Sequence, residues 1–181
     1  MRVIGGEFRS RKLFEVDSDK TRETRDRVKE SIFNSINTHL YDSKILDLFA
    51  GSGSLGIEAI SRGANSSVFV DVNNKAIRTI KSNIDALDIN DRTSVYQSDY
   101  LSYLNNSTEI FDVILLDPPY ELKVINECVK IISEKRLLSD TGIIVTLYGK
   151  DNSINLEKFD IISYKEKKMG ITNITYLKWG T

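Results

Sequence analysis

Apolar side chains recur every four residues at Val28, Ile32, Ile36 and Leu40, with Phe33 beside them. That spacing predicts an amphipathic helix over 24–40, with Thr24 as its N-cap. Beyond residue 43 the pattern changes. Short β-rich apolar runs at 44–49, 67–72, 93–97, 111–116 and 142–147 alternate with helical stretches. The first helix is expected over 55–62, with Gly63 free to end it in a left-handed conformation. A second carries the stripe Ala76, Ile77, Ile80, Ile84 and Leu87, and a third covers 122–133. Strands separated by helices build a parallel sheet from βαβ units. The last two apolar runs, 159–165 and 172–179, have only the region of Met169-Gly170 between them, which favours an antiparallel hairpin. Residues 2–16 form a small basic hairpin or extended arm with a turn near Gly5-Gly6. The expected fold is α/β: a seven-stranded, mostly parallel sheet with an antiparallel last strand and helices on both faces. An N-terminal arm and helix (1–40) precede the sheet (41–181) in one domain.

The chain has 181 residues, 40% hydrophobic and 28% charged, enough for one domain with a substantial core. It has no long apolar run, and its first residues lack the apolar centre of a signal peptide, so the expected compartment is the cytoplasm. Cys128 is the only cysteine and His39 the only histidine, which argues against a disulfide framework and against a metal site. The net charge of −1 gives no global signal for nucleic acid. Locally, Arg2, Arg9, Arg11 and Lys12 face only Glu7 in the first twelve residues, a candidate polyanion patch. Arg22, Arg25, Arg27 and Lys29 follow, interleaved with Glu23, Asp26 and Glu30.

Two motifs carry the candidate chemistry. Asp47-Leu48-Phe49-Ala50-Gly51-Ser52-Gly53-Ser54-Leu55-Gly56 lies where the first strand turns into its helix, and Gly51, Gly53 and Gly56 have G-x-G-x-x-G spacing. Glycines there permit a tight turn and a close approach of ligand to backbone. Asp71 follows Gly51 by twenty residues at the end of the next strand, where a carboxylate can accept ribose hydroxyls. This much suits either a dinucleotide or S-adenosylmethionine. Asp47 before the glycines and Asp99 after the third strand add carboxylates at the same sheet edge, which favours the second. The other motif, Asp117-Pro118-Pro119-Tyr120, ends the fourth strand. Proline fixes φ and has no N–H, so the pair stops sheet pairing and presents Asp117 and Tyr120 on a stiff loop.

With both motifs in place the chain resembles class I S-adenosylmethionine-dependent methyltransferases, Rossmann-like enzymes, acting on exocyclic amino groups. Arg2-Val3-Ile4-Gly5-Gly6, Arg11-Lys12-Leu13 and 24–34 narrow the likeness to the RsmD family, which methylates guanine N2 at position 966 of 16S ribosomal RNA. Ser10 stands where that family usually has glycine, and Glu23 and Arg25 replace its usual proline and threonine. The resemblance implies that Asp71, beside Val72, holds the cofactor ribose. It gives the adenine amino group to Asp99, beside Tyr100, and the methionine portion to the loop of Asp47, Phe49, Ala50, Gly51 and Gly53. Arg22, Thr24 and Arg27 would lie near the methionine end or the target base. Asp117 and the Pro118 carbonyl would accept the amino hydrogens, held by Pro119, while Tyr120 stacks on the base. The basic arm would hold RNA phosphates of an assembled or assembling small ribosomal subunit. No membrane partner is implied. Rival readings are a DNA adenine-N6 or other RNA amino methyltransferase, an NAD-dependent oxidoreductase, and a non-catalytic assembly factor. The oxidoreductase leaves Asp117–Tyr120 unexplained.

Overall fold

The computed structural model describes residues 1–16, 26–121 and 123–180. The strands are β1 (Lys44–Asp47), β2 (Ser66–Asp71), β3 (Thr93–Gln97), β4 (Phe111–Leu116), β5 (Leu138–Tyr148), β6 (Ile161–Met169) and β7 (Thr172–Trp179). The helices are α1 (Asp26–Ser35), α2 (Ser54–Ser61), α3 (Asn74–Leu87), α4 (Tyr100–Asn106) and α5 (Ile125–Lys135). One sheet runs in the order β3-β2-β1-β4-β5-β7-β6. β1 to β5 are parallel, and β7 is antiparallel to both of its neighbours, β5 and β6. The expected α/β sheet is therefore the one observed. The carboxyl ends of β1 to β5, the start of β7 and the end of β6 all lie along one edge.

The central strands are buried on both faces, which is why they are almost continuously apolar. Alternate residues serve opposite layers. Leu46, Val68, Ile114 and Ile144 pack with α5 and Leu104 of α4, while Ile45, Val113 and Leu115 pack with Ile32, Phe33 and Ile36 of the α1 segment. Phe69 joins α3, α2 and the arm residues Val3 and Leu13 in a third cluster.

Several boundaries depart from the periodicity. The helix predicted to reach Leu40 ends at Ser35, and a single 3-10 turn, Asn37–His39, carries the chain onward. Ile36 and Leu40 still reach the core, because the tightened turn keeps them on the buried side. Thr24, its expected cap, lies outside the described residues, as do Arg22 and all of 17–25. α4 was not anticipated, and α5 begins at Ile125 rather than 122. β5 starts at Leu138, before the expected Gly142, and its pairing with β4 shifts register between Phe111 and Val113. β6 continues to Met169, past the expected Lys165.

The arm closes on itself through an antiparallel bridge between Arg2 and Lys12 and through Val3 N–H donating to the Arg11 carbonyl at 2.9 Å. Its turn is broader than Gly5-Gly6 alone and ends at Ser10, which has φ +70°. A side chain in that left-handed region costs about 1–2 kcal/mol, and glycine recovers part of this while losing about 0.4–1 kcal/mol to its freer unfolded chain. Ser10→Gly is therefore expected to stabilise the fold by about 0.5–1 kcal/mol, measured by urea denaturation. An unchanged midpoint would show that Ser10 is not strained.

Candidate cofactor and active site

The four candidate aspartates stand at the carboxyl ends of four neighbouring strands. Asp47 ends β1 opposite Phe69, and Asp71 ends β2 opposite Gln97. Asp99 caps α4 just beyond β3, and Asp117 follows β4 directly. In an open α/β sheet this edge is where ligands bind.

Between β1 and α2 the chain turns through Gly51 (φ +57°) and Gly53 (φ +83°), conformations that glycine adopts without a Cβ penalty. Ala50 N–H donates to the Val70 carbonyl at 3.0 Å, and Gly53 N–H to the Ala50 carbonyl at 2.8 Å. The third glycine has another role. A Cβ on Gly56 would lie 2.4 Å from Phe69 Cε1 and 2.7 Å from Ser67 Oγ, so Gly56 lets α2 rest on β2. Asp47 is 1% exposed, and its Oδ2 accepts the Gly56 N–H at 3.0 Å. It thereby places negative charge at the start of α2, where the helix dipole favours it. The shown contact makes Asp47 an anchor of the loop.

Asp71 accepts one backbone N–H on each oxygen: Gly51 on Oδ2 and Asn73 on Oδ1, both at 2.8 Å. A carboxylate has about four acceptor sites, so each oxygen keeps capacity for a further donor. Burial pushes the Asp71 carboxyl above its ordinary 3.8, against the opposing pull of the Asn73 and Gly51 N–H groups. The neighbouring Val72 is 68% exposed, an apolar surface beside that carboxylate. Asp99 is exposed, and its Oδ1 accepts the Ser102 N–H at 2.8 Å, the bond that holds its carboxyl below the usual range. The Phe49 and Tyr100 rings are 5.6 Å apart. Tyr100 donates its hydroxyl to Glu127, and that bond pushes the phenol up to about 12, so Tyr100 stays protonated.

Asp117 is 8% exposed and Pro118 is buried, while Pro119 and Tyr120 are half-buried. Three residues that the sequence pattern did not single out hold Tyr120. Its hydroxyl donates to Thr172 Oγ1 at 2.9 Å, and its carbonyl accepts from Asn152 Nδ2 at 2.9 Å. A Cβ on Gly149 would lie 2.8 Å from the Tyr120 ring. The ring therefore sits on the end of β5 and is tied to the start of β7. A glycine immediately after the β5 run was the only sequence signal for this.

The basic arm separates into two parts. Glu7 N–H donates to the Ser61 carbonyl at 2.8 Å, at the far end of α2, and Arg11 Nη2 donates to the Ala86 carbonyl at 2.9 Å, near the end of α3. The arm's tip, with Arg9 and Arg11, thus lies at the amino ends of the strands, across the sheet from Asp117. The expectation that the arm's cations gather beside the catalytic loop is corrected for these two. A Cβ on Gly6 would lie 1.8 Å from the Ser61 carbonyl oxygen, so the glycine pair serves contact with α2 as well as the turn. Arg2 pairs with Asp26 at 3.4 Å near the start of α1, Lys12 lies opposite Arg2, and Arg27 is exposed on the first turn of α1.

A family model described as "Conserved hypothetical protein 95" matches residues 1–178. The Haemophilus influenzae protein "Ribosomal RNA small subunit methyltransferase D" is 34% identical over 178 residues, 96% of this chain and 91% of that one. The chain belongs to the RsmD family. A Bacillus subtilis relative, "Putative rRNA methyltransferase YlbH", is 38% identical over 98% of both chains. The solved structure of "Putative methyltransferase yhhF from Escherichia coli" superposes with a TM-score of 0.88 at 25% identity, covering 99% of this chain and 98% of that one. The RsmD-family likeness therefore includes the arm and α1 as well as the sheet, which has the class I methyltransferase fold.

Proposed function

We propose that this RsmD-family chain is an rRNA methyltransferase, transferring a methyl group from S-adenosylmethionine to the exocyclic N2 amino group of a guanine in 16S rRNA, at position 966. Its substrate is the assembled or assembling small ribosomal subunit. The observation that carries this reading is the placement of the buried Asp117-Pro118 pair on the same sheet edge as the glycine loop and Asp71.

The residues at that edge fit the cofactor. Asp71 has an acceptor site left on each oxygen for a ribose diol, and the exposed Val72 offers an apolar face to adenine. Asp99 would accept from the adenine amino group while still capping α4. Phe49, Ala50, Gly51 and Gly53 would line the methionine portion, with Asp47 fixing their turn and Tyr100 packed against Phe49. When bound, S-adenosylmethionine supplies an electrophilic methyl on a positively charged sulfur. The chain's own task is to make the amino nitrogen nucleophilic. Its lone pair is delocalised into the base, and two acceptors on its hydrogens favour the pyramidal form. Asp117 and the Pro118 carbonyl are those acceptors, and they strengthen as positive charge develops on nitrogen. Burial of Asp117 lowers the local dielectric and increases that effect. Pro119 holds the pair in place, and Tyr120, fixed through Thr172, positions the base. Arg2, Lys12, Arg22, Thr24 and Arg27 would steer the RNA, with Arg9 and Arg11 as more distant contacts.

Asp71→Asn is expected to weaken S-adenosylmethionine binding about ten- to a hundredfold, since hydrogen bonds to charged groups contribute about 1.5–3 kcal/mol. Calorimetric titration measures this, and unchanged affinity would remove Asp71 from the site. The pH dependence has a definite sign. The ribose needs the ionised carboxylate, and burial raises its titration above 3.8. Affinity should therefore hold at neutral pH and begin to fall, on acidification, sooner than an ordinary aspartate would allow. The same raised value means that ionised Asp71 costs stability above pH 3.8 and that this cost disappears below it.

The direct test is transfer of labelled methyl to small subunits lacking this modification, beside bare rRNA and duplex DNA. Label in N2-methylguanine supports the proposal. Label on adenine or on DNA keeps the chemistry and rejects the substrate.

A further inference from the structure

We infer that Lys165 and Lys167 of β6, with Arg27 of α1, form a phosphate-binding seam that carries the RNA strand flanking the target base towards Tyr120. This inference rests on the proposed RNA substrate. β6 runs in the same direction as β1 to β5, so Lys167 is nearer the catalytic edge than Lys165. Lys165 Nζ donates to Ser35 Oγ at 3.2 Å, and Lys167 Nζ to Ser31 Oγ at 3.2 Å and Ser35 Oγ at 2.9 Å. These bonds align α1 against β6 with its first turn towards the same edge. Arg27 is one turn before Ser31 and on its face of the helix, and it extends the seam in that direction. The seam ends at the β6–β7 turn, where Ile171 is 68% exposed and the next residue, Thr172, holds the Tyr120 hydroxyl.

Charge is concentrated there. Residues 165–168 read Lys-Glu-Lys-Lys, and the Ser163 hydroxyl donates to the one carboxylate, Glu166. Among the described residues no carboxylate lies within 4.0 Å of Lys165, Lys167 or Lys168. With the arm's tip on the opposite edge, this seam is the cationic surface continuous with the catalytic loop. Cations held on neutral hydroxyls keep their charge available to phosphate, the group that positions RNA without reading its sequence.

Lysines on an edge strand also prevent it from pairing with other sheets, and the test separates that role. Lys165→Gln with Lys167→Gln keeps the edge polar and the serine contacts possible but removes both charges. The expected result is a KM for rRNA raised about tenfold, with kcat and S-adenosylmethionine affinity at wild-type values. The log–log salt dependence of RNA binding should become shallower by about 1.4, at about 0.7 per single-strand phosphate contact. Lys165→Arg with Lys167→Arg should restore KM. If the glutamine variant does not fold, Lys168→Glu, exposed at the end of the strand, carries the same salt titration. Unchanged KM and salt slope would overturn the inference. So would a rise in KM confined to Arg9→Gln with Arg11→Gln, which would assign docking to the arm. Wild-type protein that binds rRNA without transferring methyl would reject the proposed reaction, while the salt titration would still judge the seam.

Discussion

Replacing Asp117 by alanine is expected to lower the single-turnover rate of methyl transfer about 10²- to 10³-fold, the usual effect of losing one positioned group that stabilises developing charge. S-adenosylmethionine affinity should stay within about twofold of wild type, because Asp71 and the glycine loop lie on other strands. The two acceptors have different origins. The Pro118 carbonyl is fixed by the backbone and survives the substitution, so a residual rate should remain. Asp117→Asn should fall between, since it keeps one side-chain oxygen but turns a donor towards the amino group. Rapid-quench measurement at saturating cofactor, beside a calorimetric binding curve, separates the chemical step from binding. Turnover near wild type in the alanine variant, with cofactor bound, would overturn the role given to Asp117.

The parts legible in the sequence were those in which one physical cause dominates. Strands buried on both faces must be apolar almost throughout, so β1, β2 and β4 were visible as runs, and Pro118-Pro119 fixed where β4 stops. Gly51, Gly53 and the acidic strand ends were legible because a tight turn and a carboxylate at a sheet edge leave few alternatives. α4 was not legible: seven residues with only Leu104 buried give no periodic stripe. Lys29 and Glu58 looked like ordinary helix-surface charges, yet both are 0% exposed. Only the meeting of α1, α2 and the arm supplies their partners, and those contacts join residues more than 25 positions apart. For the same reason the arm's cations could be counted in the sequence, but the edge that Arg9 and Arg11 would occupy could not. Asp99 shows a third case, in which one carboxylate meets the needs of a helix cap and of a ligand, and sequence spacing does not separate the two.

Glu58→Ala is expected to destabilise the fold by about 3–5 kcal/mol, the range for breaking a buried ion pair by removing one partner. The carboxylate joins three elements. Its Oε1 accepts from Gly5 N–H and Arg62 Nε, each at 2.9 Å, while Oε2 accepts from Ile4 N–H at 3.0 Å and lies 3.6 Å from Lys29 Nζ. Lys29 also donates to Ser54 Oγ at 2.9 Å and to the Arg2 carbonyl at 2.6 Å. Removing Glu58 leaves the Lys29 ammonium without its buried counter-charge and two arm N–H groups without their acceptor. Glu58→Gln keeps one acceptor oxygen and should cost less. Because a domain's whole stability is typically about 5–15 kcal/mol, the alanine variant should show a clear fall in the urea midpoint. The effect should also reach the cofactor edge. Ser54 opens α2 directly after Gly53, so loosening Lys29 loosens the first turn beyond the glycine loop, and S-adenosylmethionine affinity should fall with stability. A loss below about 1 kcal/mol would show that the arm and α1 hold their positions without the carboxylate. A full loss of stability with unchanged cofactor affinity would show that the arm anchor and the loop are independent.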